Sequence, residues 1–447
     1  MEGKNLTTGN LLKNMTFMLI PILLTNLLNS IYSIVDSIWI GNLIGENGVS
    51  VITNSFPITL VISSISVGLA TAVSVSVSQY YGAKNEEKIK QIIGVSYLFN
   101  TIIAIISAIL IKFSLNFWLN IMNTPEEIYS LTIQYLTIYL IGFIFNFVFT
   151  IIMEQFRAIG NTKITLIFVA ISSILNIILD PILIKIGLGI KGASIATAIS
   201  MFIGMSIAII YINNKSKLLK IDFKYIKWDS DYIVQLLKLG IPVILQELLI
   251  AMVFFIEVKT SNESGVIGSA GYGVVNKIED ILHIICGAFK TMIIITVGQF
   301  IGNHKENDVK QIMKQGLKIA VIPILITIIV LFIFPKQFCK IFVSSEEVLS
   351  MAMIYLSVLR FALIITPIRH LLRGVIVGTG HTTFSLLQII FSMSVEVVSL
   401  FILRRYNIES LMTLGIAISI CVASELIINS LYYFSNKWKK EVIKQNW

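Results

Sequence analysis

The sequence predicts an all-α integral membrane protein, with twelve transmembrane helices in two six-helix lobes related by a pseudo-two-fold axis along the membrane normal. Three observations support this fold class: an apolar composition, twelve long apolar runs, and a first half that recurs in the second. Of the 447 residues, 56% are hydrophobic and only 13% are charged. Water-soluble proteins carry about 25% charged residues, so this chain has too little charge for a soluble surface.

Each apolar run is long enough to cross a bilayer, for which a helix needs about 20 residues. Runs such as IIAIISAILI and AVIPILITIIVLFIF are apolar on every side, whereas each helix of a soluble bundle would carry one apolar stripe. We therefore expect a multi-pass protein of the cell membrane. The predicted spans cover residues 15–40, 51–79, 92–119, 131–156, 163–184, 192–212, 233–258, 266–298, 312–334, 349–372, 382–403 and 409–434.

The basic residues predict the orientation, because lysine and arginine collect on cytoplasmic loops. One side of the membrane is assigned 23 of them, Arg369 and Arg373 included, and the other side 9; Lys290 and Arg360 lie deep inside spans and complete the 34. This bias places both termini in the cytoplasm. The net charge of +9 then reflects topology, so we expect no nucleic-acid partner.

The second half of the chain repeats the first at a spacing of about 220 residues. Three separated segments match at this spacing, and Pro21 matches Pro242 at 221. Six spans per half is an even number, which keeps both halves in the same orientation. The matches are QYYGAKNEEKIKQI (79–92) with QFIGNHKENDVKQI (299–312), TPEEIYSLTIQYL (124–136) with SSEEVLSMAMIYL (344–356), and GNT (160–162) with GHT (380–382).

The repeat divides the chain into an N-lobe (1–212), a connector (213–232) and a C-lobe (233–447). The connector is basic and polar, and we expect it to lie along the cytoplasmic membrane surface. Two such lobes are expected to enclose a central cleft, an architecture suited to alternating access. A channel more often uses identical subunits around a pore. No motif of an intramembrane enzyme is found, so we predict that the chain is not an enzyme.

Polar residues in the first half predict a cation-coupling site, because a charge within a span is costly and usually functional. Tyr32 and Asp36 share one helix face, as do Asn176 and Asp180, each pair four residues apart. Thr197 of the sixth span could reach the same depth. The two carboxyls could bind H⁺, and their oxygens together with Asn176 could bind Na⁺. The alternative is that these residues merely form hydrogen bonds between helices.

The second half carries charges of both signs. Glu257 and Glu396 stand where the repeat places Asp36 and Asn176, and Glu247, Lys290 and Arg360 fall near mid-depth. Two interpretations stay open. The charges could form an internal salt-bridge network that stabilises the lobe, or Lys290 and Arg360 could contact an anionic or zwitterionic group of a substrate.

Several segments together resemble the multidrug and toxic compound extrusion (MATE) family, over nearly the whole chain. Pro21 stands fifteen residues before Asp36. The segments are DSIWIG (36–41), SQYYGAKN (78–85), FRAIGNTK (156–163), LNIILDPILI (175–184) and GIKGASIATAIS (189–200). The resemblance implies a V-shaped pair of lobes, export driven by H⁺ or Na⁺, and a coupling site at the positions of Asp36, Asn176 and Asp180. It also implies that the first helix bends at Pro21, whose missing N–H loosens the helix there.

These arguments favour a secondary-active antiporter that exports amphipathic organic compounds, chiefly cations, in exchange for H⁺ or Na⁺. No cofactor is expected besides the coupling ion. The partners expected are small-molecule substrates and the lipid bilayer, with no obligate protein partner. The first alternative is a flippase for a lipid-linked saccharide, in which basic residues would bind pyrophosphate. The second is a membrane receptor or enzyme, for which no soluble domain or catalytic set is found.

Overall fold

A computed structural model describes residues 3–406, 408–440 and 442–443 of the chain. Within these residues the regular structure is helical, without a β-strand. Twelve helices are long and apolar enough to cross a membrane, which confirms the predicted number. The last residue of the C-lobe prediction, Trp447, lies outside the described residues.

Six long helices precede the connector, and six follow it. A π-helical turn, Ile184–Leu188, extends α5. A second, Ile329–Ile333, extends α9 and leads into the short α10. The helices are α1 (Leu11–Ile44), α2 (Glu46–Gly82), α3 (Glu86–Ile121), α4 (Glu126–Ala158), α5 (Thr162–Leu183), α6 (Ile190–Lys215), α7 (Ser230–Asn262), α8 (Gly265–Gly302), α9 (Val309–Ile328), α10 (Pro335–Cys339), α11 (Glu346–Gly378), α12 (Thr382–Leu403) and α13 (Ser410–Phe434).

The sequence repeat reappears in the backbone of two pairs of turns. Lys84 after α2 and His304 after α8 both have positive φ, 59° and 53°. Gly160 after α4 and Gly380 after α11 likewise have φ of 80° and 92°. Such φ values favour glycine, since a side chain is strained there. In each pair, the two turns lie 220 residues apart and end their helices with the same left-handed backbone conformation.

The chain forms two compact units, which do not coincide with the two halves of the sequence. Unit 1 comprises Met1–Thr7 and Ile20–Ile244, and unit 2 comprises Thr8–Leu19 and Leu245–Trp447. One division, between Thr7 and Thr8, precedes α1; the other two fall inside α1 and α7, close to Pro21 and Pro242. The N-lobe and C-lobe boundaries at residues 212 and 233 stay a prediction.

Each unit has its own apolar core. In unit 1, α4 packs along α2 and α6, and the core includes Val51, Leu136 and Ile190. In unit 2, α11 packs between α8 and α13. The α8–α11 contact is close, because a Cβ on Gly378 would lie 2.7 Å from the Ile294 carbonyl oxygen. Small residues at helix interfaces permit this approach and hold the helices in register.

The connector folds back on α3. The Tyr225 hydroxyl donates to the Glu87 carboxylate at 2.8 Å, and the Tyr232 hydroxyl, at the start of α7, donates to Gln91 at 2.6 Å. The bond to Glu87 raises the pKa of Tyr225. A Cβ on Gly94 would lie 2.3 Å from the Tyr225 carbonyl oxygen, so only glycine fits beneath this loop.

Candidate functional site

The structure brings together the five residues of the first predicted site, all within unit 1. Tyr32 and Asp36 project from α1, Asn176 and Asp180 from α5, and Thr197 from α6. The hydroxyls of Tyr32 and Thr197 lie 3.5 Å apart. The Asn176 amide is oriented so that its nitrogen and its oxygen both form hydrogen bonds. The nitrogen donates to Asp180 at 2.8 Å, and the oxygen lies 3.2 Å from the Thr197 hydroxyl. We call these five residues the acidic cluster.

Its two carboxyl groups interact directly. Asp36 and Asp180 lie within electrostatic range of each other, so one proton or cation between them would relieve the repulsion of two ionised carboxylates. Asp180 and Asn176 are completely buried, whereas Asp36 is half-buried. Asp36 Oδ1 is itself buried and has no hydrogen-bond partner among the described residues. The cluster therefore retains an unused acceptor.

Two tyrosines of α4 complete the surroundings of the cluster, and the sequence reasoning missed both. Tyr135 and Tyr139 stack with ring centroids 6.1 Å apart, and Tyr135 lies within electrostatic range of Asp36 and Asp180. Their spacing on one apolar helix resembles ordinary core packing, so the sequence held no signal for them.

Pro21 lies within α1, which continues through it without a break. The Thr25 hydroxyl donates to the Pro21 carbonyl at 2.7 Å. The missing N–H of Pro21 leaves one helix bond unmade. Asp36 is about four turns further along α1, so both the weak point and the carboxylate belong to one helix.

This arrangement can bind a small cation. Two carboxyls, an amide oxygen and a hydroxyl are the hard oxygen donors that ions such as Na⁺ prefer. The carboxyl pair can equally exchange a proton. Among the described residues, no group of three or more His, Cys, Asp and Glu side chains has the geometry of a transition-metal site.

Unit 2 contains a cavity of about 650 Å³ instead of a compact cluster. It lies among α7, α8, α11, α12 and α13, and four of the five residues predicted for the second half line it. These four are Glu247, Glu257, Lys290 and Glu396.

One end of the cavity is acidic. The Tyr272 hydroxyl donates to Glu257 at 3.0 Å, and Glu257 lies within electrostatic range of Glu396. Cys421 also lies close to Glu396. Glu279 of α8 lines the same region. We call this region the acidic end.

The other end is basic. Arg369 forms an ion pair with Glu425 at 2.9 Å, and both side chains are largely buried. Arg373, one turn further along α11, donates to Gln246 at 2.7 Å. Lys290 lies within electrostatic range of Arg373 and of Glu247. We call this region the basic end.

Three arginines are placed differently from their predicted positions. Arg360 does not line the cavity, because its guanidinium stacks over Phe332 and Phe361, 4.5 and 5.4 Å from the ring centroids. Arg369, near the inner end of the predicted span 349–372, and Arg373, just beyond it, were counted with the cytoplasmic charges. However, α11 extends to Gly378, and both side chains line the cavity. Counting residues predicts depth along a helix, but not the face on which a side chain lies.

Known proteins resemble this chain over nearly its full length. The MatE family model matches residues 21–182 and again 242–402, at the spacing of the internal repeat. The probable multidrug resistance protein YoeA of Bacillus subtilis is 26% identical over 96% of this chain and 95% of its own. The multidrug export protein MepA of Staphylococcus saprophyticus is 24% identical over 94% of both chains.

Solved structures show the same fold. The Vibrio cholerae MATE transporter VcmN in its bent form is 21% identical, with a TM-score of 0.86 over 95% of both chains. A MOP superfamily transporter from Pyrococcus furiosus, described as having a binding pocket of reverse polarity that suggests a different function, is 21% identical with a TM-score of 0.87 over 97% of both chains. The relatives are transporters and not enzymes. With both halves matched by the family model, the chain belongs to the MatE family of multidrug efflux transporters.

Proposed function

We propose that this protein is a secondary-active antiporter that exports amphipathic organic compounds, chiefly cations, in exchange for H⁺ or Na⁺. The observation that carries the proposal is the acidic cluster of unit 1, with its Asp36–Asp180 pair and the unused Asp36 oxygen. The partners proposed are small molecules and the lipid bilayer, without nucleic acid or an obligate protein partner.

The cluster supports coupling through its charge. An ionised carboxylate pair in an apolar setting is unfavourable, and binding a cation there neutralises it. A cation that binds one conformation of the transporter better than the other shifts the balance between them. Because Asp36 and Pro21 share α1, we propose that occupancy of the cluster bends this helix at Pro21 and so releases the substrate.

The relatives support the direction of transport. MepA is named a multidrug export protein and YoeA a probable multidrug resistance protein. An exporter whose coupling ion enters where substrate leaves is an antiporter. The orientation with both termini in the cytoplasm belongs to this proposal, since the acidic cluster must then open to the outside.

The test is transport of a fluorescent cationic dye in inverted membrane vesicles, with H⁺ and Na⁺ gradients applied separately. Asp36→Asn keeps the size of the side chain but removes its charge, so the cluster loses its first cation ligand. We expect ion-driven dye transport to fall roughly 100-fold, which corresponds to about 2.7 kcal/mol. Glu46→Gln, which removes an exposed carboxylate from the start of α2, should transport at the wild-type rate.

Gradient-driven transport by Asp36→Asn at the wild-type rate, with equal amounts of protein in the vesicles, would contradict the coupling role. Dye movement under only one of the two gradients would identify the coupling ion.

A second candidate, a flippase for a lipid-linked saccharide, is favoured by one observation. The basic end of the unit 2 cavity offers Lys290 and Arg373, which could bind a pyrophosphate. If the dye moves under neither gradient while a lipid-linked saccharide is transferred between leaflets, the flippase proposal replaces the antiporter.

A further inference from the structure

We propose that the unit 2 cavity binds an amphipathic zwitterion, with the cationic group of the ligand at the acidic end and its anionic group between Lys290 and Arg373. The inference rests on the proposed function and narrows its substrate class, from amphipathic cations in general to those that also carry an anionic group; plain cations would bind more weakly. Four features of the cavity support it.

The two ends are separated along the helices. On α8, Glu279 and Lys290 are eleven residues apart, which is about 16 Å of helix. On α13, Cys421 lies close to Glu396, and Glu425 pairs with Arg369 one turn further along. Arg373 lies one more turn along α11. The carboxylates of the acidic end and the cations Lys290 and Arg373 therefore lie towards opposite ends of one cavity, with the Arg369–Glu425 pair between them.

Two cations of the basic end form no close ion pair among the residues that the structure describes. Arg369 is paired with Glu425, but within the described part of the chain no carboxylate oxygen lies within 4.0 Å of Lys290 or Arg373. Arg373 is largely buried and bonds the neutral side chain of Gln246. A guanidinium has five N–H donors in a fork that matches a carboxylate or phosphate. An anionic group would use the donors that remain.

The acidic end has an unused acceptor of its own. Glu396 is only 3% exposed, lines the cavity, and its Oε1 atom has no hydrogen-bond partner among the described residues. Leaving a buried polar atom unsatisfied is unfavourable. An ammonium group of a ligand would supply the missing donor.

The walls between the two ends are apolar. Ile250, Val253 and Phe254 line the cavity between Glu247 and Glu257 along α7, and Leu359 and Leu363 of α11 also line it. The volume of about 650 Å³ lies within the range of roughly 300–1,000 Å³ that holds drug-sized ligands. The ligand is therefore an apolar body with an amine at one end and a carboxylate or phosphate at the other.

A zwitterion fits this cavity better than an ion of one sign. A plain cation that fills the cavity would bring positive charge towards Lys290 and Arg373, and a plain anion would approach Glu257 and Glu396. Like charges placed together reduce affinity and serve to reject a wrong ligand. The cavity therefore discriminates by the separation of charges within the ligand.

The test compares two dyes that differ in one group: a rhodamine with a free carboxylate, which is a zwitterion, and its methyl ester, which is a cation. Binding to the purified, reconstituted protein is measured by fluorescence polarisation without any ion gradient. We expect the wild type to bind the zwitterion roughly tenfold more tightly, as for one charge-assisted hydrogen bond.

In Lys290→Gln and Arg373→Gln this preference should fall to about twofold or less, with binding of the ester unchanged or tighter. Lys290→Arg should retain the preference. The matched control is Arg360→Gln, on the same helix as Arg373 but stacked on aromatic rings outside the cavity, and its preference should equal that of the wild type. An equal preference in Lys290→Gln and Arg360→Gln would overturn the inference.

The two proposals fail separately. Because binding is measured without a gradient, the preference between the two dyes can still be measured in a protein that has lost ion-coupled transport. A wild type that transports the ester but binds both dyes equally would refute the zwitterion site and leave the antiporter standing.

Discussion

The acidic cluster of unit 1 and the cavity of unit 2 occupy related positions in the repeat but differ in chemistry. The acidic cluster is compact, contains two carboxyls and no lysine or arginine, and bonds across three helices. The cavity is open, has charges of both signs, and contains two cations that form no close ion pair among the described residues. We therefore assign ion coupling to the cluster and substrate recognition to the cavity.

The repeat shows how this difference arose position by position. Asp36 corresponds to Glu257 and Asn176 to Glu396, so acidic or amide groups persist at these two places. Asp180 and Thr197, however, correspond to Leu400 and Ala417, which removes the rest of the cluster from unit 2. Conversely, the cavity residues Lys290, Arg369 and Arg373 correspond to Ala70, Phe149 and Met153 in unit 1. Similar helices thus carry different side chains in each unit.

The largest effect that we expect is a loss of stability in unit 2, when the ion pair of its cavity is broken. Glu425→Gln removes the carboxylate from the largely buried pair with Arg369 and leaves an uncompensated charge. Breaking a buried pair from one side destabilises a protein by 3 kcal/mol or more, so we expect a loss of about 3 kcal/mol in the free energy of unfolding. Thermal unfolding of the detergent-purified protein measures it.

The matched control removes both partners. Arg369→Met combined with Glu425→Leu should recover most of the lost stability, because no charge is then left unpaired. A thermal midpoint for Glu425→Gln equal to that of the wild type would show that water in the cavity already solvates Arg369.

An intermediate effect tests whether the two carboxyl pairs have different roles. Glu396→Gln removes a charge from the acidic end, and we expect roughly tenfold weaker binding of both rhodamine dyes, as for a lost charge-assisted hydrogen bond. The dependence of transport on the ion gradient should persist, in contrast to Asp36→Asn. If Glu396→Gln abolishes that dependence as well, both units couple ions and the comparison fails.

The smallest effect sharpens the description of the acidic cluster. Thr197→Val keeps the shape of the side chain and removes the hydroxyl near Tyr32 and Asn176. We expect a loss of about 1 kcal/mol, or roughly fivefold weaker apparent affinity for the coupling ion. Transport rates against ion concentration measure this affinity. The control is Thr53→Val, since Thr53 is exposed and its hydroxyl donates to the Val49 carbonyl of its own helix. Equal ion affinity in both variants would exclude Thr197 from the site.

Much of the fold could be predicted, because length and hydrophobicity suffice to identify helices that cross a membrane. Each of the twelve predicted spans lies within a helix or extends one residue beyond it, and the duplicated segments identify the halves. The division within α1 and α7 could not be predicted, because it depends on which residues pack together, and apolar runs carry no information on that.

The first site was easier to predict than the second. Tyr32 with Asp36, and Asn176 with Asp180, each lie one turn apart, so local spacing alone placed each pair on one face. In unit 2 the partners come from helices that are far apart in the sequence. Counting residues along each span placed Arg360 and Lys290 at the same depth. Arg360, however, stacks on Phe332 and Phe361 outside the cavity. Arg373 was missed because its positive charge near the end of a span resembles a topology signal.

The paired turns described above have a consequence for the ancestry of the chain. Lys84 and His304 share a left-handed backbone without sharing a residue type, and Gly160 and Gly380 share both. A backbone path preserved after its side chains have changed indicates that a half-length ancestor was already folded when its gene duplicated. The copy then diverged in its charged groups while its turns stayed fixed, so ion use and ligand use could separate within one polypeptide.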